Sequence, residues 1–230
     1  DTNLLAPRCT GVSLEEEYPN VKRWAATNKM IINSIKTKEI VFRRPNLRSS
    51  SLLLPPPLAG IERIKQAKLL GVIISENLKF KEHVDQVLRT CNQRLYLLKK
   101  LRAQGLLSHQ LNTVCVAIII IRLTYAISSW GGFCTVADAN RIDSFLRRLV
   151  KYGYSCSNTA FNTYLKLADQ KLFRKMGASE QHCLNQILPA LKAETSTYVL
   201  RKRKHPYVLP VFRYELFKKS FLMRCLYSSD

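Results

Sequence analysis

Past Phe80 the apolar residues change their period from two to 3.6, and this switch limits what the chain can fold into more than any other feature. Val84, Val87, Leu88, Cys91, Leu95, Leu98 and Leu101 recur at helical spacing and predict a long amphipathic helix ending at Gly105. Residues 111–130 predict a second helix, apolar almost all round between Val114 and Ile121, and therefore the buried central one. Ile142, Phe145, Leu146 and Leu149 predict a third, closed by Gly153. A fourth is expected over 161–176, a short fifth over 181–188 stopped by Pro189, and helical spacing returns over 212–226.

Ahead of the switch the pattern is short and β-prone. Residues 30–32 and 39–42 flank the polar stretch 33–38, which reads as strand, turn, strand. A second pair of strands is expected at 61–64 and 68–74, with Gly71 inside the latter, and the apolar end of residues 1–6 reads as a strand begun earlier. Ser13 followed by Glu16 is a capping box and predicts a helix start. Val21, Trp24 and Ala25 then form its apolar face, and Pro19 must sit near the first turn or kink the helix. Residues 45–57, with three consecutive serines and three consecutive prolines, read as a flexible connection. No internal repeat is present. The expected fold class is α+β, a small β-containing piece over 1–78 followed by a mainly helical part.

Charge narrows the partners. Lys and Arg total 37 against 16 Asp and Glu, a net charge of +21, while hydrophobic residues at 47% suffice for a real core. A surplus this large repels itself in the folded state and favours a polyanion, nucleic acid before anionic membrane. The longest apolar run, from Val114, stops at Arg122, short of the roughly 20 residues a membrane span needs. No membrane partner is therefore expected. The seven cysteines are odd in number, widely spread and lack a Cys-x-x-Cys pair, which fits reduced thiols and an intracellular setting, nuclear or cytoplasmic. The start at Asp1 without Met, directly on a strand-like run, predicts a fragment or a processed piece.

No self-contained catalytic motif stands out: no Gly-rich phosphate loop, no nucleophile elbow, no zinc-protease helix. His83, His109, His182 and His205 are scattered, and His182 beside Cys183 lacks the paired spacing of a zinc site. The cations are more telling. Arg89, Gln93, Tyr96 and Lys100 fall at i, i+4, i+7 and i+11, opposite the apolar face of their helix. Arg147, Arg148 and Lys151 share the side of the third helix away from Phe145 and Leu149. Cations interleaved with an aromatic suit a groove that follows a phosphate backbone, whereas any single such stripe is more often just a solvated face. The run Arg201–Lys204 reads equally as a nuclear-import signal or a phosphate-contacting arm.

Four stretches, in this order, resemble the C-terminal half of reverse transcriptases from non-LTR (LINE-like, jockey-type) retrotransposons. Asp1-Thr-Asn-Leu-Leu is similar to the segment that leads out of the paired aspartates of the catalytic turn. Trp24-Ala25 and the stretch from Asn28 through Asn33 and Lys36 to Glu39 resemble the next palm motif. Lys68-Leu69-Leu70-Gly71-Val72, then Leu78-Lys79-Phe80 and His83-Val84, resemble the primer grip and its exit into the thumb. Ala168-Asp169, Leu172-Phe173, His182-Cys183-Leu184, Leu188-Pro189 and the segments 200–210 and 219–227 resemble the C-terminal region. The resemblance covers nearly the whole chain.

It implies a palm remnant over 1–78, a helical thumb over 79–153 and a helical C-terminal region with a basic tail over 154–230. The parent activity would be RNA-directed DNA polymerisation on a template–primer of RNA and DNA. Such polymerases hold two divalent ions, Mg2+ in the intact parent, with aspartates from separate palm motifs. Asp1 would be the second aspartate of the pair and the one metal ligand retained, so this chain alone is expected to bind no metal and to be inactive. Lys36 would correspond to the lysine that protonates the pyrophosphate leaving group, against the plainer reading of a turn lysine paired with Glu39; Asn33 and Thr37 would shape that turn. Leu70, Gly71 and Val72 would contact the primer, with Gly71 allowing a strand to approach the backbone. The reading from another class is a non-catalytic basic module that binds nucleic acid or a protein partner, a domesticated or decayed transposon fragment.

Overall fold

The computed structural model describes residues 2–7, 11, 13–43, 54–191, 205–212 and 214–227. Asp1, Cys9, most of the connection over 45–57 and the run Arg201–Lys204 lie outside the described residues. The architecture is α+β and mainly helical, and the chain divides into two compact units, Asp1–Leu78 and Lys79–Asp230.

In the first unit, helix α1 (Leu14–Thr27) starts where the capping box demands. The Glu16 N–H donates to Ser13 Oγ at 3.2 Å, and the Ser13 N–H donates to Glu16 Oε2 at 3.2 Å. Pro19 lies beyond the first turn, yet the helix runs through it. Its apolar face is narrower than expected: Ala25 is buried, whereas Trp24 is exposed.

Residues 2–7 and 30–32 form no strand. The turn after them is closed by Asn33, whose backbone carbonyl accepts from the N–H groups of Lys36 and Thr37 at 3.1 and 3.0 Å, and whose Oδ1 accepts from Lys36 N–H at 3.1 Å. Strand β1 (Lys38–Glu39) pairs in parallel with β2 (Glu62–Arg63) instead of folding back on 30–32. A buried ion pair accounts for the choice. Glu39 is 6% exposed, and Arg63 donates to it from Nη2 at 2.8 Å and from Nε at 3.3 Å. A carboxylate removed from water needs such a partner, and here it lies far along the sequence.

Strands β3 (Gln66–Leu69) and β4 (Val72–Ser75) form an antiparallel hairpin in the register Leu69↔Val72. The expected single strand over 68–74 is thus two arms of a hairpin. Leu70 and Gly71, at φ 46° and 86°, are its two-residue turn. Positive φ at both positions matches the twist of the strands, and glycine at the second supplies half of it without strain.

The second unit is helical. Helix α2 (Lys81–Ala103) buries His83, Val84, Val87, Leu88, Cys91 and Leu98, the face its period predicts. The central segment is not one regular helix. Helix α3 (Ser108–Cys115) widens into a π-helical turn, Val116–Ile120, continues as α4 (Ile121–Thr124), breaks at Tyr125 and Ala126, and resumes as α5 (Ile127–Trp130) and a 3-10 turn, Gly131–Phe133. Ala126 has φ 50°, and the Trp130 indole N–H donates to the Tyr125 carbonyl at 3.0 Å. The π turn exposes a carbonyl, that of Ile118, which accepts a hydrogen bond from Arg94 Nη1. Leu111, Cys115, Ile119, Leu123, Ile127 and Trp130 are buried, while Val116, Ile121 and Tyr125 are exposed. The segment therefore has one core face and is not buried all round. Arg122 does not end its apolar character: by length and composition alone Ser108–Phe133 is sufficient to cross a membrane.

Helices α6 (Val136–Lys151) and α7 (Phe161–Ala178) complete the core with Ile142, Leu149, Phe161 and Met176. The expected helix over 181–188 is a single 3-10 turn, Asn185–Ile187, and that over 212–226 is split into α8 (Glu215–Lys218) and α9 (Phe221–Tyr227). Helix α9 is tied down by Arg224, which donates to Asp169 Oδ2 at 2.9 Å and Oδ1 at 3.1 Å, and to the Ser128 and Lys219 carbonyls.

Candidate nucleic-acid interface

The face opposite the core of α2 carries the four side chains that the spacing brings together. Arg89, Gln93, Tyr96 and Lys100 are all exposed, and the Lys100 ammonium stands 5.4 Å from the Tyr96 ring centroid. Among the described residues neither Arg89 nor Lys100 forms an ion pair, whereas Lys38, Arg43, Arg63, Arg141 and Arg224 do.

Helix α6 lies beside α2 and runs in the same direction, joined to it at three levels. Arg141 pairs with Asp85 at 2.5 Å, Arg148 Nη2 donates to Asn92 Oδ1 at 2.7 Å, and Arg102 Nη2 donates to the Tyr152 carbonyl at 2.5 Å. The third of these is reinforced by the Tyr154 ring, 3.9 Å from the Arg102 guanidinium carbon. Arg147, Arg148 and Lys151 are exposed, but they do not share one setting. Arg148 turns back over Phe145, 5.3 Å from its ring centroid, and reaches α2; Arg147 donates to Ser144 Oγ at 2.9 Å on its own helix.

The parallel packing thus brings Arg148 next to Asn92, which lies one turn from both Arg89 and Tyr96. The charge pattern of the sequence does not single out Asn92; its spacing to Arg89 and Tyr96 is the available signal. Between the two helices lies a cleft of about 420 Å³ lined by Leu88, Asn92, Asn140, Arg141, Ser144, Phe145 and Arg148.

His83, on the buried face of α2, adds no cation at neutral pH. His83 is buried edge-on against Trp130, ring centroids 4.9 Å apart. Burial first, and the Arg122 charge second, push its pKa down to about 4. Burial likewise raises the thiols of Cys91 and Cys115 to about 11, so neither is a nucleophile.

The other candidate residues fall in the first unit. Leu70 is exposed and Gly71 half-buried at the hairpin tip, while Val72 is buried. Lys36 is exposed in the Asn33 turn, and its plain pairing with Glu39 is not made because Arg63 holds that carboxylate. Asp1 lies outside the described residues. Among the described residues no three His, Cys, Asp or Glu side chains converge as a metal-ligand set, so no step through a metal is assigned to them. His182 Nδ1 accepts from the Leu184 N–H at 3.2 Å, and His205 packs between Phe173 and Tyr207 with Nε2 on the Leu226 carbonyl at 2.9 Å. Comparison of the chain with protein-family models, curated proteins and solved structures found no match.

Proposed function

We propose that the helical unit grips the sugar–phosphate backbone of a nucleic-acid duplex through the exposed face of α2 and the adjoining edge of α6. The observation that carries this reading is the row Arg89, Gln93, Tyr96 and Lys100, solvent-facing and without a carboxylate partner among the described residues. Uncompensated guanidinium and ammonium groups attract phosphates and release their counterions, and the interposed Tyr96 and Gln93 offer an aromatic surface and an amide to sugar or phosphate. Nothing in such a row reads base sequence, so recognition follows shape and charge.

Taken with the resemblance, the chain is the palm–thumb end of a transposable-element reverse transcriptase, holding template–primer while the aspartates and Mg2+ of the intact parent supply nucleotidyl transfer. The plainer alternative is a non-catalytic basic module, a domesticated or decayed transposon fragment, that binds nucleic acid or a protein partner. Duplex binding is expected of the first reading and of the nucleic-acid-binding form of the second, and not of a protein-facing surface.

The test of the grip is a salt titration of fluorescence anisotropy with a labelled RNA–DNA hybrid and an unrelated hybrid of equal length. Weak binding is expected, alike for the two sequences, with log affinity falling steeply and linearly against log salt. A flat salt response, or no binding at low salt, would sink the proposal.

A further inference from the structure

The cleft between α2 and α6 has a build that gripping a backbone does not require. Its floor is apolar: Leu88 and Phe145 are buried among the core residues, yet both line the opening. Its rim is polar and uneven in charge. Arg141 is neutralised by two carboxylates, Asp85 at 2.5 Å and Asp138 at 3.2 Å, and serves as a wall. Arg148, on the same rim, spends one N–H on Asn92, and no carboxylate pairs with it among the described residues. Its guanidinium lies over Phe145, 5.3 Å from the ring centroid, so a flat ring entering the cleft would meet the guanidinium backed by that ring. Asn140, also on the rim, is exposed, and its side-chain amide makes no hydrogen bond among the described residues. At about 420 Å³ the cleft falls within the range of small-molecule sites, roughly 300–1,000 Å³.

An apolar floor, an unneutralised guanidinium and a free amide with both donor and acceptor edges select a planar heterocycle joined to an anion. The geometry points to this cleft as a receptor for one unpaired nucleobase of a bound strand, its ring against the Arg148 guanidinium and the rim of Leu88, and its polar edge on Asn140. The assignment rests on the proposed grip of a backbone by the neighbouring α2 face, since that face would bring a strand to the cleft. An unpaired base is specified because a paired one is stacked within its duplex and has no ring to offer.

The experiment compares two labelled duplexes by anisotropy, one fully paired and one carrying a single bulged 2-aminopurine, each with the full 230-residue chain and with Ser144→Leu. Ser144 is exposed on the cleft rim, so leucine there fills the opening without altering net charge, at the loss of the hydrogen bond from Arg147. The unmodified chain should bind the bulged duplex about 10-fold more tightly, the scale of one base stacking on a protein side chain, and the 2-aminopurine emission should change on binding. Ser144→Leu should bind both duplexes as the unmodified chain binds the paired one. Should Ser144→Leu lose the paired duplex as well, Asn140→Ala is read instead, with the preference expected to fall about threefold. Equal affinity of the unmodified chain for the two duplexes overturns the base receptor, and if both still bind with steep salt dependence the backbone grip stands. A bulge preference that survives both substitutions also overturns it.

Discussion

At the residue scale, stability turns on two polar groups, the buried His83 and the half-buried Arg224. His83 is 2% exposed, and its pKa is about 4 against an ordinary 6.5. The folded state therefore binds fewer protons than the unfolded chain between these values, so stability is full above pH 6.5 and falls as pH drops toward 4. The total loss from this group is roughly 3 kcal/mol at about 1.4 kcal/mol per pKa unit. Denaturant midpoints measured from pH 7 to pH 4.5 should fall for the unmodified chain, and His83→Gln should flatten the part of that slope due to this group. The second group is Arg224, whose pair with Asp169 is largely buried and whose guanidinium passes close over Gly132. A Cβ on residue 132 would stand 2.5 Å from the Lys219 carbonyl oxygen and closer still to Arg224. Gly132→Ala should displace that side chain and cost on the order of 3 kcal/mol, the scale of a broken buried pair. Thermal or urea melts of Gly132→Ala, Arg224→Ala and the double variant should show strongly non-additive losses; full additivity would mean that the glycine acts through something else.

At the element scale, α2 faces two ways, and its two faces can be tested apart. Arg89 and Lys100 lie exposed on the solvent side, so Arg89→Ala with Lys100→Ala should leave the fold within about 0.5 kcal/mol. Binding should weaken, and the salt slope should drop by about one for each phosphate no longer engaged. Lys171 and Lys175 of α7 are equally exposed and serve as the charge-matched control. Equal losses from stripe and control would mean that net charge alone binds, and the α2 face would lose its assignment. The core side of the same helix meets the π turn through Arg94, and there the expectation is reversed. Arg94→Met should leave the Ile118 carbonyl without that donor and lower stability by about 1–3 kcal/mol, read from urea midpoints.

At the scale of the whole molecule, a net charge of +21 leads us to expect some attraction to polyanions from the chain at large, besides that proposed for one face. Control variants are needed at every step for that reason. It also gives the polymerase reading a clear expectation for this chain. On a primed template with Mg2+ or Mn2+, the purified 230-residue chain should incorporate no nucleotide above background while still binding the template–primer. Incorporation by this chain would contradict the inference that its sequence retains only one of the aspartates that such chemistry uses.

The sequence by itself determined the elements whose signals are local. The capping box started α1 at its residue, the 3.6 period chose the buried face of α2 and left Arg89, Gln93, Tyr96 and Lys100 outward, and Asn33 closed its turn. Those choices depend on hydrogen bonds and burial within a few residues, which spacing records directly. Tertiary structure alone decided the rest. Glu39 took Arg63 as its partner and so turned an expected hairpin into a parallel pair. Leu70 and Gly71 became a turn because two arms could pair across them, and the central helix widened and broke where Arg94 and Trp130 reach its carbonyls. The cleft between α2 and α6 arises from pairs such as Asp85 with Arg141 and Asn92 with Arg148, each 56 residues apart. A pattern that repeats every three or four residues carries no record of which distant side chain will share the low-dielectric space with a given charge, and that pairing placed the candidate site.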